Sequence, residues 1–136
     1  MSRYHINFTT NLLSEFSENI SNSLESIHKR AQLDDKLLSI SFVDDEMMQK
    51  LNRDYRKKDA STDVLTFLFD DEEILGDIYI SIPTIKKNAL EHKVDFMQEM
   101  NTVIAHAFAH LKRYTHDTDE QEQKMIEYER FLLNLM

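Results

Sequence analysis

The sequence predicts an α+β fold: a four-stranded mixed sheet packed against about five helices. Short apolar runs of period two are interleaved with longer runs at helical spacing, in the order βαβαββααα. Two of the strands are joined only by a short acidic turn, which makes them an antiparallel hairpin. The chain has 136 residues and no repeat, linker or low-complexity stretch, which points to one domain with one core.

Tyr4, Ile6 and Phe8 alternate, so residues 3–8 form the first strand. Leu13, Phe16, Ile20, Leu24 and Ile27 then recur at helical spacing, a helix of about 20 residues that Asp34-Asp35 breaks. Leu37 to Val43 is the second strand. Asp44 can cap a short helix carrying Met47, Met48 and Leu51. Residues 52–61 have no clean periodicity and read as an ordered loop. Strands over roughly Asp63–Phe69 and Leu75–Ile82 flank the turn Asp70-Asp71-Glu72-Glu73. Pro83 suits the first position of a helix over about residues 83–92. A further helix runs from about Asp95 to Leu111, and a last one begins at the capping box Thr118-Asp119-Glu120-Gln121.

Composition removes many activities. There is no cysteine, hence no disulfide, thiolate zinc ligand, iron–sulfur cluster or cysteine nucleophile. Gly76 is the only glycine, so there is no Walker loop, GxGxxG fingerprint or GxSxG elbow. The net charge of −9 argues against binding nucleic acid over the whole surface but leaves room for a local basic groove. Val64 to Phe69 and similar apolar runs are too short to span a bilayer, and the first residues lack the apolar block of a signal peptide. A cytoplasmic protein without a membrane partner is expected.

Three of six histidines fall between Ala105 and His116. His106 and His110, four apart on the predicted helix, share a face about 5–6 Å apart and can converge on one cation. They sit beside an apolar stripe of Phe96, Met100, Val103, Ile104, Ala107 and Leu111, at the boundary of the core. His116 follows far enough on for the helix to end and the chain to return a third imidazole. Three histidines leave one tetrahedral position open, the catalytic rather than the structural arrangement of zinc. Zinc is the first choice for this divalent ion, although imidazole also suits nickel, copper and iron. The residue after His106 is Ala107, where a zinc protease would place its glutamate base, so a protease would need a base from elsewhere. His5, His28 and His92 have no partners at ligand spacing and read as ordinary surface or half-buried residues.

His106 to His116 resembles the HGxLHLxGYDH signature of the YbeY family, bacterial metal-dependent endoribonucleases of ribosomal RNA maturation and ribosome quality control. Asn52 to Asp59 followed by Thr62-Asp63-Val64-Leu65-Thr66-Phe67 is similar to the family's RxKDxxTDVLSF region, and Leu75-Gly76-Asp77-Ile78 to its LGDI strand. The stretch from His116 through Met125 and Glu129 is similar to the family's ending. The resemblance implies a YbeY-like metallohydrolase domain over residues 1–136, with His106, His110 and His116 holding the metal. It also implies that Arg56 compensates charge on phosphorus, a role its planar fork suits; an ordinary salt bridge with Asp54 or Asp59 is the alternative. Lys50, Arg53, Arg56, Lys57 and Lys58 form the one basic segment of the chain. Arg53, Lys57 and Lys58 are its RNA-binding candidates, with solvated loop lysines as the other reading. Asp63, Thr66 and Asp77 match family blocks but also suit strand ends, and stay outside the catalytic set.

Four positions depart from the signature. Ala107 and Ala109 replace its glycine and leucine, Arg113 its second glycine and Thr115 its aspartate. Arg113 at a positive φ would cost on the order of 1 kcal/mol or force another turn, and Thr115 removes a carboxylate able to orient a ligand. The expected activity is single-strand-specific endonucleolytic cleavage of ribosomal RNA, with ribosome or ribosomal proteins as partners and DNA not expected. The alternative is a ribosome-associated binding protein with a structural metal and little turnover.

Overall fold

The computed structural model describes residues 3–8 and 16–135. The elements run β1 (Arg3–Phe8), α1 (Ser17–Ala31), β2 (Leu37–Val43), α2 (Asp45–Arg56), β3 (Val64–Leu68), β4 (Ile74–Ser81), α3 (Ile82–His92), α4 (Phe96–Leu111) and α5 (Asp119–Leu132). This is the α+β order expected, with a mixed sheet and five helices. Leu13, placed in the first helix by its spacing, lies outside the described residues.

The sheet order is β1-β2-β4-β3. β1, β2 and β4 are parallel, with Ile6 opposite Ile40 and Ile40 opposite Ile78. β3 closes the edge antiparallel to β4, with Thr66 opposite Ile78. Alternation then sorts the side chains. Leu38, Ile40, Phe42, Ile78 and Ile80 join Ile20, Leu24 and Ile27 of α1 and Met100, Ile104 and Phe108 of α4 in the main core. Val43, Leu65 and Met48 form a smaller cluster with Leu51, Phe67 and Tyr79, where α2 packs.

α2 corrects the loop expected over residues 52–61: the helix continues through Arg56 and stops at Lys57, which takes a left-handed φ of 59°. The pattern was hidden because the helix buries a polar residue. Asn52 is 5% exposed, and its Nδ2 donates to the Ala60 carbonyl at 2.8 Å, tying down the true loop. Asp44 caps the helix as expected, its side chain accepting from the Met47 amide. One residue on, the Asp45 carboxylate accepts from Ser81 Oγ at 2.6 Å and Thr84 Oγ1 at 2.7 Å, joining α2 to the β4–α3 corner. Ser81 caps α3, so Ile82, placed by sequence at a strand end, is its first helical residue. α1 ends at a left-handed Gln32, just before Asp34-Asp35.

α4 opens with a full capping box between Asp95 and Gln98. It packs against α1, α3, α5 and the β3–β4 hairpin. The apolar stripe read from sequence is therefore too narrow, since Ala105, Phe108 and Ala109 are buried too. A helix surrounded by other elements must be apolar nearly all round. Among the described residues no helix is long and apolar enough to cross a membrane.

Gly76 is set by close approach. A Cβ there would run into the Phe67 carbonyl oxygen across the hairpin and sit 3.4 Å from Leu111. The Gly76→Ala variant is expected to lose about 1–3 kcal/mol of stability. A urea midpoint equal to that of the unmodified protein would show that β3 can move aside.

Candidate metal centre

The last two turns of α4 present His106 and His110 on one face, both half-buried. Their rings meet edge to face with centroids 4.6 Å apart, and the two Nε2 atoms are 3.1 Å apart. On the other side of His106, Nδ1 lies 2.8 Å from Oε2 of Glu129 on α5. A carboxylate can only accept, so Nδ1 carries the proton and Nε2 turns its lone pair toward His110. The Glu129 hydrogen bond holds the His106 pKa above the usual histidine value, against the opposing effect of burial. Burial pushes His110 down, helped by the neighbouring His106 and His116 and by Arg56.

α4 ends in a Schellman motif. The Arg113 amide donates to the His110 carbonyl and the Tyr114 amide to that of Ala109. Arg113 takes a φ of 68°, so of the two outcomes expected at this position the chain accepts the left-handed strain rather than another turn. The turn brings His116 back until its ring centroid is 6.1 Å from that of His110. α5 then starts at the Thr118 capping box predicted from sequence.

Two nitrogen ligands at tetrahedral zinc lie about 3.3 Å apart, close to the Nε2 spacing here. An imidazole whose Nδ1–H is held by a carboxylate is also the usual form of a metal-bound histidine. The pair thus fits a divalent cation. The third histidine does not complete a group: among the described residues no three His, Cys, Asp or Glu side chains are grouped to hold a metal. His116 is exposed and borders the same cavity.

That cavity, of about 680 Å³, brings His106, His110 and His116 together with Arg56 from the end of α2. The salt bridge offered as the alternative for Arg56 belongs to Arg53, whose guanidinium lies 3.5 Å from Asp54 and 3.9 Å from Asp59. Arg53, Lys57 and Lys58 do not line the cavity, and Arg53 borders a separate cleft with Asp44 and Lys50. Asp63 and Thr66, set aside at the sequence level, are in the cavity wall. Asp77 instead lies among Tyr55, Phe67 and Tyr79 in another cleft, where burial raises its pKa. His28 packs edge-on against Phe108. His92 pairs through Nδ1 with Glu99 at 2.7 Å.

Sequence reasoning missed Glu129 and Glu99 as wall residues. For Glu129 a signal existed: it lies four residues after Met125 and three before Leu132, both buried, so a carboxylate sits on the inner face of α5. Glu129→Gln is expected to weaken metal affinity about 10–100-fold while the fold persists. Metal titration monitored by calorimetry would check this, and unchanged affinity would reduce Glu129 to a packing residue.

A family model described as Endoribonuclease YbeY matches residues 5–136. The endoribonuclease YbeY of Geobacillus thermodenitrificans is 44% identical over 65% of this chain and 65% of its own length. That of Bacillus cytotoxicus is 36% identical over 80% of this chain and 81% of its own. The chain thus spans just under two thirds of the first of these relatives and more of the second. Among solved structures, the solution structure of a Thermotoga maritima protein superposes with a TM-score of 0.65 at 28% identity, covering 96% of this chain and 89% of that one.

Proposed function

The chain belongs to the YbeY endoribonuclease family, and from that membership we propose that it is a metal-dependent endoribonuclease that cleaves single-stranded RNA during ribosomal RNA maturation and ribosome quality control in the cytoplasm. The observation that carries the reading is the convergence of the His106 and His110 Nε2 atoms, 3.1 Å apart, in one cavity with Arg56.

His106, His110 and His116 are the residues that would hold the divalent ion, with zinc as first choice. Such an ion would supply Lewis-acid chemistry toward a phosphate oxygen and would lower the pKa of a bound water. The protein does the rest. Glu129 fixes the tautomer and ring orientation of His106. Burial lowers the His110 pKa, which favours the neutral ring whose lone pair can bind a cation. Arg56 offers a planar pair of donors to the phosphate oxygens, where negative charge grows as the phosphorus gains a ligand. Thr66 and Asp63 give the wall further hydrogen-bonding groups. Arg53, Lys57 and Lys58 lie outside the cavity and would serve RNA at most beyond it.

The test is cleavage of a single-stranded ribosomal RNA fragment by protein reloaded with zinc, with and without a chelator. Cleavage that the chelator stops supports the reading. Ribosome association with no cleavage by any loaded form would replace it with a binding protein.

A further inference from the structure

Tyr114 forms part of two surfaces. Besides the wall of the metal cavity, it lines a second cleft of about 460 Å³ between the C-terminal ends of α1 and α4 and the last turns of α5. Tyr114 stacks on Tyr128 with centroids 4.7 Å apart and planes 16° apart. Phe131 continues the series, 6.2 Å beyond Tyr128. Tyr128 is anchored, its hydroxyl donating to the Ala31 carbonyl at 3.3 Å. Phe131 is 55% exposed, a large aromatic face left to solvent.

The rim of this cleft is cationic. Arg30 Nη1 donates to the Leu132 carbonyl at 3.0 Å, and Lys112 Nζ to that of Gln32 at 3.1 Å. A guanidinium has five donors and an ammonium three, so these bonds exhaust neither group. Arg113, next to Lys112 in the turn, lines the metal cavity. Cations therefore follow one another from Arg56 through Arg113 to Lys112 and Arg30, in a chain whose net charge is −9. Cations beside the exposed Phe131 and the half-buried Tyr114 along one path are what a flexible polyanion with planar bases requires.

We propose that the α1–α4–α5 cleft binds the single-stranded RNA flanking the cleaved position, with bases stacked at Phe131 and Tyr114 and phosphates at Lys112 and Arg30. This rests on the endoribonuclease reading and extends it: the strand is held over several nucleotides, on the side of the cavity bounded by Tyr114.

The test uses the full chain loaded with zinc and fluorescein-labelled single-stranded RNAs, from a dinucleotide to roughly twelve nucleotides. Binding is read by anisotropy at several salt concentrations, and cleavage separately on gels. For the unmodified protein affinity should rise with length. In the double variant Phe131→Ala, Lys112→Gln the longer RNAs should bind about tenfold more weakly. Their salt slope should be shallower by about 0.7, and dinucleotide binding should be unchanged. Phe131→Trp, which keeps a stacking face, should restore most of the loss when combined with Lys112→Gln, so a general folding defect would not reproduce the pattern. The exposed Lys86 on α3 supplies the control variant Lys86→Gln. Wild-type length and salt dependence in the double variant would overturn the proposal, also if the variant instead lost a protein partner. If the unmodified protein cleaves none of the RNAs, the endoribonuclease reading fails, whereas length-dependent binding lost in the double variant would still support the cleft.

Discussion

Replacing His110 by alanine is expected to take bound metal from about one equivalent to none that survives gel filtration. His110 and His106 form the only part of the centre whose nitrogens already face each other, at 3.1 Å. Deleting one of them leaves a single imidazole on α4 and an exposed His116. Losing a residue that merely orients a ligand typically costs 10–100-fold in affinity, and losing a ligand should cost more than about 100-fold on that scale. The fold should survive, because His110 is only half-buried and alanine is the best helix former. A melting temperature near that of the unmodified protein, beside an empty site by inductively coupled plasma mass spectrometry, is the expected pair of results. His116→Ala should be milder, retaining metal at high zinc, because the α4 pair remains. Equal metal content in unmodified protein and His110→Ala would move the centre away from α4.

Which parts of this site could be read in the sequence follows from the range of the interactions that make it. The histidine pair was legible because its spacing is local: four residues on a helix place two rings on one face. The helix starts at Asp44, Asp95 and Thr118 were legible for the same reason, since a cap and its amide lie within one turn. Glu129 was not. It bonds His106 across 23 residues and a change of helix, and nothing local marks that partnership. The basic segment misleads in the opposite way. Lys50, Arg53, Arg56, Lys57 and Lys58 are neighbours along the chain, yet only Arg56 reaches the cavity wall, and Arg53 turns to Asp54 and Asp59. The far end of α2 was lost because buried Asn52 breaks the apolar pattern that normally announces a helix. The strain at Arg113 was readable from the missing glycine, and the Schellman bonds that pay for it became visible only in three dimensions.

Arg56→Ala should cut RNA-cleavage turnover by about 10²–10³-fold while metal content stays at its original level. That magnitude is the usual effect of removing one donor from a site where negative charge develops. Metal should persist because Arg56 is a cation and contributes no ligand; its charge even holds the His110 pKa down slightly. Binding of long RNA should change little, since one phosphate contact among several is lost and the guanidinium is exposed in the free protein. The loss should therefore fall on kcat rather than on KM, the pattern of a group that acts mainly in the transition state. Arg56→Lys should recover only a small part, because an ammonium is a point charge without the planar two-pronged geometry. Single-turnover cleavage with saturating enzyme separates these terms. Normal turnover in Arg56→Ala would shift charge compensation to Arg113, the other arginine on the cavity wall, and the left-handed strain at that residue would then have a catalytic reason.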